Sequence, residues 1–457
     1  MTALTEKSEA KENRNIIEPE IIEDEFLTQD DLVPVKKEAA KRELSRILAE
    51  LELMIREKKW EDAVTLFYPV EEKLSEITVQ GLDSAVREKL AFILGQIKKF
   101  DEAIKELSLC IAKNPDNFFL HNSLAYTAYN SLYAAKNREI FLSGKIRRDR
   151  IALAHKHFKV ALSLRPDSIT NFYREAMLFK QIEGKSEKAL PLFLNAIKTW
   201  DQMSPEEKES QHRQRKNFVK ALYQGSSAVL ENGNCHKSLN LIKRCLVEDE
   251  KTDYISLVFK YYALGKISFQ LNNFTEARDA LLFAAKCRSA DPIDFVYELL
   301  ARCYLALDNP HRAIEMLKKV PLKRRKPYIS WTESDVLSRL KDFDGAKNAL
   351  NQSLERDNRS KHKTLVRLAK LEYLLGNYEK TLVHGRQANA FFEEKWGNPC
   401  ADGLFWQALG AYRMGDSNLA LKTADRLKDI SPNYHNLDKL LNRVARKGDN
   451  CEHLKTG

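Results

Sequence analysis

Glycine and proline are scarce in this sequence, with 16 glycines and 13 prolines in 457 residues. A fold made of many tight turns depends on both residues, so the composition argues against an all-β protein. Long apolar runs are absent as well, and no segment approaches the roughly 20 apolar residues that cross a bilayer. We therefore expect no membrane insertion. The first residues do not show the apolar core of a secretory signal, so the expected compartment is the cytoplasm.

Motifs for catalysis and for metal binding are also missing. The seven cysteines form no CxxC pair, and Cys235-His236 and His155-x-His157 have no matching second half of a zinc site. No GxSxG, GxxxxGK[ST] or GxGxxG motif occurs, and the histidines are few and dispersed. The sequence therefore predicts a chain that is not an enzyme, with reduced thiols, no metal site and no cofactor.

Charge is distributed unevenly along the chain. The net charge of +10 divides into −7 for residues 1–35, which hold three Lys or Arg and ten Asp or Glu, and therefore +17 for the remainder. Acidic and aliphatic residues alternate in residues 1–35 without a clear helical stripe, so we expect a disordered acidic tail. The overall 43% hydrophobic and 31% charged residues are typical of a soluble, helix-rich protein.

A set of three residues, small, large and small, recurs after residue 35. We call each such set a ladder. In KYYALGKISFQLNNFTEARDALLFAAKCRSADP it consists of Ala277, Leu281 and Ala284, shortly after the aromatic Phe274. Successive ladders begin 33 to 51 residues apart, and four of the nine gaps measure 33 to 36 residues, which is the spacing of helix–turn–helix repeats. The ten ladders begin at Ala63, Ala103, Ala154, Ala189, Ser238, Ala277, Ala313, Ala346, Thr381 and Ala420.

Close packing explains the residue types in this pattern. Small residues at the two ends of a ladder let the second helix of a unit, helix B, approach the first helix, helix A. Gly265 places a small residue at the matching point of helix A. Gly376 and Gly415 stand in the short turns between the two helices, where a positive φ favours glycine.

The pattern resembles the tetratricopeptide repeat. The resemblance covers about residues 45–445, although Gly385 departs from the large ladder residue, and Ser238 and Thr381 depart from the small one. It implies an all-α fold, a right-handed α-solenoid of about ten repeats. One unit that matches closely contains Tyr261, Leu264, Gly265, Phe274, Ala277 and Ala284.

The expected organisation has four parts. An acidic tail (1–35) precedes N-terminal repeats (36–205), and C-terminal repeats with a capping helix (206–447) precede a short tail (448–457). The boundary at 205 follows Ser204-Pro205, a plausible start of a helix within a longer gap between ladders. An amphipathic segment, LDKLLNRVARKG, supplies the expected cap.

The resemblance implies that helix A of each unit lines a concave face. Basic and aromatic residues alternate at its groove-facing positions, where acids are few (Glu298, Asp335 and Asp402). We therefore predict a scaffold or adaptor that binds an extended, acidic peptide or a partner protein. The competing interpretation is that the aromatics are packed and the lysines only solubilise the surface. The predicted peptide-binding residues are Arg174, Lys220, Tyr223, Tyr262, Lys266, Arg302, Trp331, Lys363, Lys370 and Tyr373.

Basic clusters outside helix A support an alternative hypothesis, a nucleic-acid-associated adaptor. Such clusters bind the phosphate backbone independently of sequence, and the binding weakens steeply with salt. Lys/Arg runs are also common in solvated turns, so both interpretations stay open. The residues of this alternative are Arg147, Arg148, Arg213, Arg215, Lys323, Arg324, Arg325 and Lys326.

Overall fold

A computed structural model describes residues 29–289 and 291–452, and describes side chains for residues 36–289 and 291–444. Within these ranges the chain is α-helical and contains no β-strand. Residues 1–28 of the predicted acidic tail and residues 453–457 of the predicted C-terminal tail lie outside the described residues. Residues 29–35 belong to the first helix, and residues 448–452 belong to the last one.

The chain divides into two compact units, one ending at Pro166 and the other beginning at Asp167. The sequence-based boundary at 205 stays a prediction, although Ser204 forms the expected capping box with Glu207. The helices of the first unit are α1 (Gln29–Glu57), α2 (Trp60–Phe67), α3 (Val70–Lys73), α4 (Ser75–Val79), α5 (Ser84–Gln96), α6 (Phe100–Lys113), α7 (Phe118–Lys136) and α8 (Gly144–Leu164).

The second unit contains sixteen α-helices among the described residues. A π-helical segment, Leu178–Glu183, continues α9, and a short 3₁₀ turn, Leu322–Arg324, follows α17. The helices are α9 (Ile169–Met177), α10 (Ser186–Gln202), α11 (Pro205–Ser210), α12 (His212–Glu231), α13 (Cys235–Glu248), α14 (Leu257–Gln270), α15 (Phe274–Lys286), α16 (Asp294–Ala306), α17 (Pro310–Lys318), α18 (Pro327–Arg339), α19 (Phe343–Arg356), α20 (Lys361–Leu374), α21 (Tyr378–Trp396), α22 (Ala401–Met414), α23 (Ser417–Ile430) and α24 (Leu437–Glu452).

The recurring ladder forms the buried face of each helix pair. All three residues of each of the ten ladders are buried. At Gly265, an added Cβ would lie 2.6 Å from Leu281 Cγ and 3.2 Å from the carbonyl oxygen of Ala277. Helix A therefore needs glycine at this contact with its ladder, and the repeat pattern is confirmed as ten helix pairs.

Each of the ten turns between helices A and B contains one residue with a positive φ, between 57° and 91°. Gly376 and Gly415 occupy this position, as the sequence predicts. Six of the ten positions hold residues other than glycine, which tolerate this conformation at a steric cost. The ten residues are Lys58, Lys98, Arg138, Gly184, Gly233, Asn272, Asp308, Lys341, Gly376 and Gly415.

The departure at Gly385 has a packing reason. A Cβ on Gly385 would lie 2.6 Å from the backbone nitrogen of Gln407 and 2.8 Å from the carbonyl oxygen of Gly403. On the facing helix, a Cβ on Gly410 would lie 2.8 Å from the backbone nitrogen of Leu382. Helices α21 and α22 therefore touch through their backbones, and no large ladder residue fits between them.

A buried ion pair fixes the start of α14. Lys260 Nζ lies 2.8 Å from Asp249 Oδ2, and both side chains are buried. Asp249 also accepts hydrogen bonds from the backbone N–H groups of Tyr254 (2.8 Å) and Ile255 (2.9 Å). Burial raises the pKa of Asp249, but Lys260 and the two N–H groups outweigh burial, and the net pKa is lowered. The ionised carboxylate thus ties the connection after α13 to α14.

Helix α24 covers the last helix pair. Leu437, Leu440 and Val444 of α24 are buried in a cluster with the last ladder, which includes Ala424 and Leu427. The amphipathic segment therefore packs its apolar stripe on the final helix pair, which is the role of a capping helix in a repeat array.

Candidate functional site

A small pocket opens between the A helices α12 and α14. It has a volume of about 140 Å³, and three of the predicted peptide-binding residues line it: Tyr223, Tyr262 and Lys266. Leu230 and Ile267 contribute apolar walls. Burial raises the pKa of both tyrosines to about 12. Their hydroxyl groups therefore stay protonated and can donate hydrogen bonds across the physiological range.

A second lysine reinforces the positive charge near this pocket. Lys180, in the π-helical segment, donates from Nζ to the carbonyl oxygen (3.2 Å) and to Oε1 (3.1 Å) of Gln224 on α12. Burial lowers the pKa of Lys180, Glu231 opposes that shift, and the nearby positive charge of Lys266 lowers the pKa further. The Lys180 ammonium group therefore adds positive charge near Lys266, while its hydrogen bonds to Gln224 hold it in place.

The next A helix, α16, contributes a basic and an acidic residue side by side. The guanidinium of Arg302 stacks on Phe269 of α14 at 4.8 Å, and its Nε lies 4.0 Å from Glu298 Oε1. Glu298 also accepts a 2.6 Å hydrogen bond from the Thr332 hydroxyl of α18. Burial raises the pKa of Glu298 despite both partners. Arg302 is therefore held between an aromatic ring and a carboxylate, with its side chain still about half exposed (47%).

Asp335 of α18 lies within a group of basic residues. Its side chain is exposed, yet desolvation by the surrounding protein raises its pKa, which Arg367, Lys370 and Arg302 lower in part. An exposed carboxyl group that is still desolvated by its neighbours is typical of a concave surface. The three cations come from α16 and α20, so α16, α18 and α20 line one continuous face.

Trp331 contributes to this face mainly through its neighbours. Its Nε1–H donates a 2.9 Å hydrogen bond to Thr364 Oγ1, and the guanidinium of Arg367 lies 4.5 Å from its ring centre. Trp331 is half-buried, and its only side-chain donor is used within the protein. It therefore orients Arg367 and offers a ring edge rather than a hydrogen bond.

Tyr373 extends the same face toward α22. Its ring lies 5.7 Å from Trp406 of α22 and 5.6 Å from Tyr378 of α21. The guanidinium of Arg413 lies 5.8 Å from Tyr373 and 4.7 Å from Tyr378. Aromatic and basic groups thus alternate from α12 to α22. We call this face, from Tyr223 to Tyr373, the A-helix groove.

Three of the ten predicted residues, Tyr223, Tyr262 and Lys266, line one pocket. Arg302 and Lys370 lie near Asp335, and Trp331 contacts Arg367 beside them. Tyr373 lies on the same helix as Lys370. Arg174 and Lys220 are half-buried on α9 and α12, and Lys363 is exposed on α20. Lys180 and Arg367 were missed by the sequence reading. Arg367 stands four residues after Lys363 and three before Lys370, so helical spacing alone places it on the same face. Lys180 gives no such signal, because it lies in a π-helical segment.

Several residues of the nucleic-acid alternative are engaged within the protein. Arg215 donates to the carbonyl oxygen (2.7 Å) and to Oε2 (3.2 Å) of Glu248. Arg325 pairs with Glu333 at 2.6 Å, and it also donates to the last carbonyl groups around the end of α17. Arg324 donates to Asp294 at 2.9 Å. Arg213 and Arg215 lie within α12, which is an A helix, so the expectation that this basic cluster lies outside helix A is wrong. The exposed residues of this alternative are Arg147, Arg148, Arg213, Lys323, Arg324 and Lys326.

In the described ranges of the chain, no group of three or more His, Cys, Asp or Glu side chains is arranged to hold a metal ion. In the same ranges, every helix is too short or too polar to cross a bilayer.

Comparisons with known proteins agree with the helix-pair architecture. No family model and no curated protein matches the chain. The apo form of RapI is 12% identical, and the match covers 78% of this chain and 99% of RapI with a TM-score of 0.50. Yeast Tom70 is 12% identical over 90% of this chain and 97% of its own, with a TM-score of 0.39. A tetratricopeptide repeat protein from Parabacteroides merdae is 12% identical over 70% and 99%, with a TM-score of 0.37.

Identity at this level supports the fold and nothing finer. Ten helix pairs with buried small–large–small ladders, a positive-φ turn within each pair and a capping helix are the features of one repeat architecture. The chain therefore has an all-α fold of the tetratricopeptide-repeat type.

Proposed function

We propose that the chain is a non-enzymatic scaffold or adaptor that binds an extended, acidic segment of a protein partner in the A-helix groove. The observation that carries this proposal is the pocket between α12 and α14, where Tyr223, Tyr262 and Lys266 meet. Two hydroxyl donors and an ammonium group around about 140 Å³ suit one carboxylate side chain of a partner.

The rest of the groove supports a peptide rather than a small molecule. Basic and aromatic groups continue along α16, α18, α20 and α22, so an extended chain can place successive side chains against successive repeats. Glu298 and Asp335 interrupt the positive charge. A partner that alternates acidic residues with occasional basic or hydrogen-bonding residues therefore matches the groove better than a uniformly acidic one.

Binding of a fluorescently labelled acidic peptide library, measured by anisotropy, tests the proposal. The double variant Tyr262→Phe/Lys266→Gln should weaken the selected peptides by about tenfold or more, because it removes one hydroxyl donor and one charged donor. Lys286→Gln is the matched control, since it removes the same charge from an exposed position on the B helix α15. Equal loss in both variants, or a library without binders, would contradict the proposal.

The nucleic-acid alternative predicts a different behaviour. Affinity for duplex or single-stranded probes should then fall steeply between low and moderate salt. Purification from native lysate with and without nuclease separates the two hypotheses. Protein partners that persist after nuclease treatment support the peptide groove, and partners that disappear support the alternative.

A further inference from the structure

A second pocket lies where the connection between α17 and α18 meets the end of α19. Its volume is about 270 Å³. Its described lining contains no acidic residue, and half of its ten residues are cationic. The five cationic residues are Lys323, Arg324, Arg325, Lys326 and Arg356.

Only part of this charge is neutralised by the protein. Arg324 donates to Asp294 at 2.9 Å, and Arg325 pairs with Glu333 at 2.6 Å. Among the described residues, no carboxylate pairs with the three others. Arg356 instead donates to the carbonyl oxygen of Leu322, which holds the connecting segment against α19. The pocket therefore keeps a surplus of about three positive charges, from Lys323, Lys326 and Arg356.

A buried hydroxyl group on the pocket wall points independently to a ligand. Ser353 lines the pocket and is only 4% exposed. Its Oγ is buried without a hydrogen-bond partner among the described residues. A buried hydroxyl without a partner is costly, and such groups in native proteins usually have an unobserved partner. Ser330 and Gln352 add further side-chain donors to the same lining.

The start of α18 adds a favourable field. Pro327 is the first residue of this thirteen-residue helix and lies in the pocket lining. The amino end of a helix carries partial positive charge, which stabilises an anion placed beside it. Cations, hydroxyl donors and a helix amino end together form the usual environment of a bound phosphate group.

We propose that this pocket binds the phosphate of a phosphoserine or phosphothreonine side chain on a protein partner. The proposal goes beyond the A-helix groove, because none of the groove residues lines this pocket. A volume of about 270 Å³ is slightly below the range of sites that hold a whole small ligand, roughly 300–1,000 Å³. The pocket therefore receives one group of a larger molecule.

The chemistry of the lining selects the carrier of that phosphate. No aromatic ring is part of the described lining, so a nucleobase has no surface on which to stack. A group of cations around one pocket suits a doubly charged phosphate monoester, whereas a nucleic-acid backbone presents singly charged diesters along an extended path. These features favour a phosphorylated side chain over a nucleotide or a strand.

The test uses the full chain and a degenerate pool of labelled phosphoserine peptides, with the unphosphorylated pool as reference. Phosphorylation should tighten binding by about tenfold or more. Ser353→Ala should reduce that gain severalfold while leaving stability unchanged or higher, because it removes an unpaired buried hydroxyl. Lys323→Gln/Lys326→Gln should abolish most of the gain.

Two control variants make the result specific. Ser268→Ala removes another buried, unpartnered hydroxyl, on α14 and outside the pocket, so it should not change the gain from phosphorylation. Lys266→Gln should also leave the gain unchanged, which separates failure of this pocket from failure of the A-helix groove. If the gain is absent or survives Ser353→Ala, the proposal is overturned. The proposal is also overturned if a labelled 5′-phosphorylated oligonucleotide or inorganic phosphate binds the full chain while the phosphopeptides do not.

Discussion

Single glycines set the distance between helices in the C-terminal repeats. At Gly385, a Cβ would lie 2.6 Å from the backbone of Gln407, and backbone atoms cannot move aside as the end of a side chain can. We predict that Gly385→Ala destabilises the protein by about 1–3 kcal/mol through overpacking, although alanine is the better helix former by about 1 kcal/mol. Urea denaturation followed by far-UV circular dichroism measures the change.

The matched control for this prediction is Gly95→Ala. Gly95 is also helical, in α5, and a Cβ there meets nothing within 4 Å in the described structure. The same substitution should therefore stabilise the protein by up to about 1 kcal/mol. A stabilising effect at both positions would show that α21 and α22 can separate without cost.

At this scale, sequence reasoning succeeded where packing dictates residue size. The ladders and Gly265 were identified because close helix contact requires small residues at fixed offsets. The six non-glycine residues with positive φ, such as Lys98 and Lys341, carry no comparable signal, since lysine is ordinary in an exposed turn. Gly385 was read as a departure because its contact, on α22, lies in the next repeat.

The position of helix α14 depends on a buried charge. We predict that Asp249→Asn costs about 3–5 kcal/mol near neutral pH, because it leaves the Lys260 ammonium group buried without its carboxylate. The double variant Asp249→Asn/Lys260→Met should recover much of this loss. Denaturant titration of the single and double variants checks both values. If the single and the double variant are destabilised by the same free energy of unfolding, the ion pair does not explain the position of α14.

The pH dependence of this effect has a defined sign. The folded-state pKa of Asp249 is lowered, so its stabilising contribution is present above the ordinary pKa of about 3.9 and is lost as the pH falls further. The difference between wild type and Asp249→Asn should therefore be largest near neutral pH and shrink below about pH 4. A difference that grows on acidification would reverse the assignment.

Element boundaries were predictable from the ladders and turns, whereas the contacts that fix them were not. Asp249 and Lys260 pair across a connecting loop, and Arg325 caps the end of α17 while also pairing with Glu333. In the sequence, Arg325 stands in a basic run that resembles a binding cluster. Only the folded chain shows which of its charges are already neutralised by a partner.

The charges of the C-terminal repeats are likewise only partly predictable from the sequence. The periodic placement of Lys266, Arg302 and Lys370 predicts a positive face, because helical spacing determines which residues share a face. The sequence does not predict the effect of the acids, since desolvation by neighbouring repeats raises the pKa of Glu298 and Asp335. The residues that desolvate these two carboxyl groups come from other repeats, so the local sequence does not reveal the burial. The groove is consequently a positive surface whose charge increases when these two carboxyl groups take up protons.

This property gives the last prediction. Because the folded pKa of Asp335 is raised, lowering the pH protonates it and removes a negative charge beside Arg302, Arg367 and Lys370. A peptide whose acids are sulfonates keeps its charge under these conditions, and its affinity should rise as the pH falls.

The variant Asp335→Asn should raise the affinity for the peptide about threefold near neutral pH, since one exposed charge interaction contributes up to about 1 kcal/mol. It should also reduce the dependence of the affinity on pH. The remaining slope belongs to Glu298, which Glu298→Gln should remove. Anisotropy titrations across the pH range measure the affinity of each variant. If the double variant Asp335→Asn/Glu298→Gln keeps the pH dependence of the wild type, the sulfonate peptide does not bind beside these carboxyl groups.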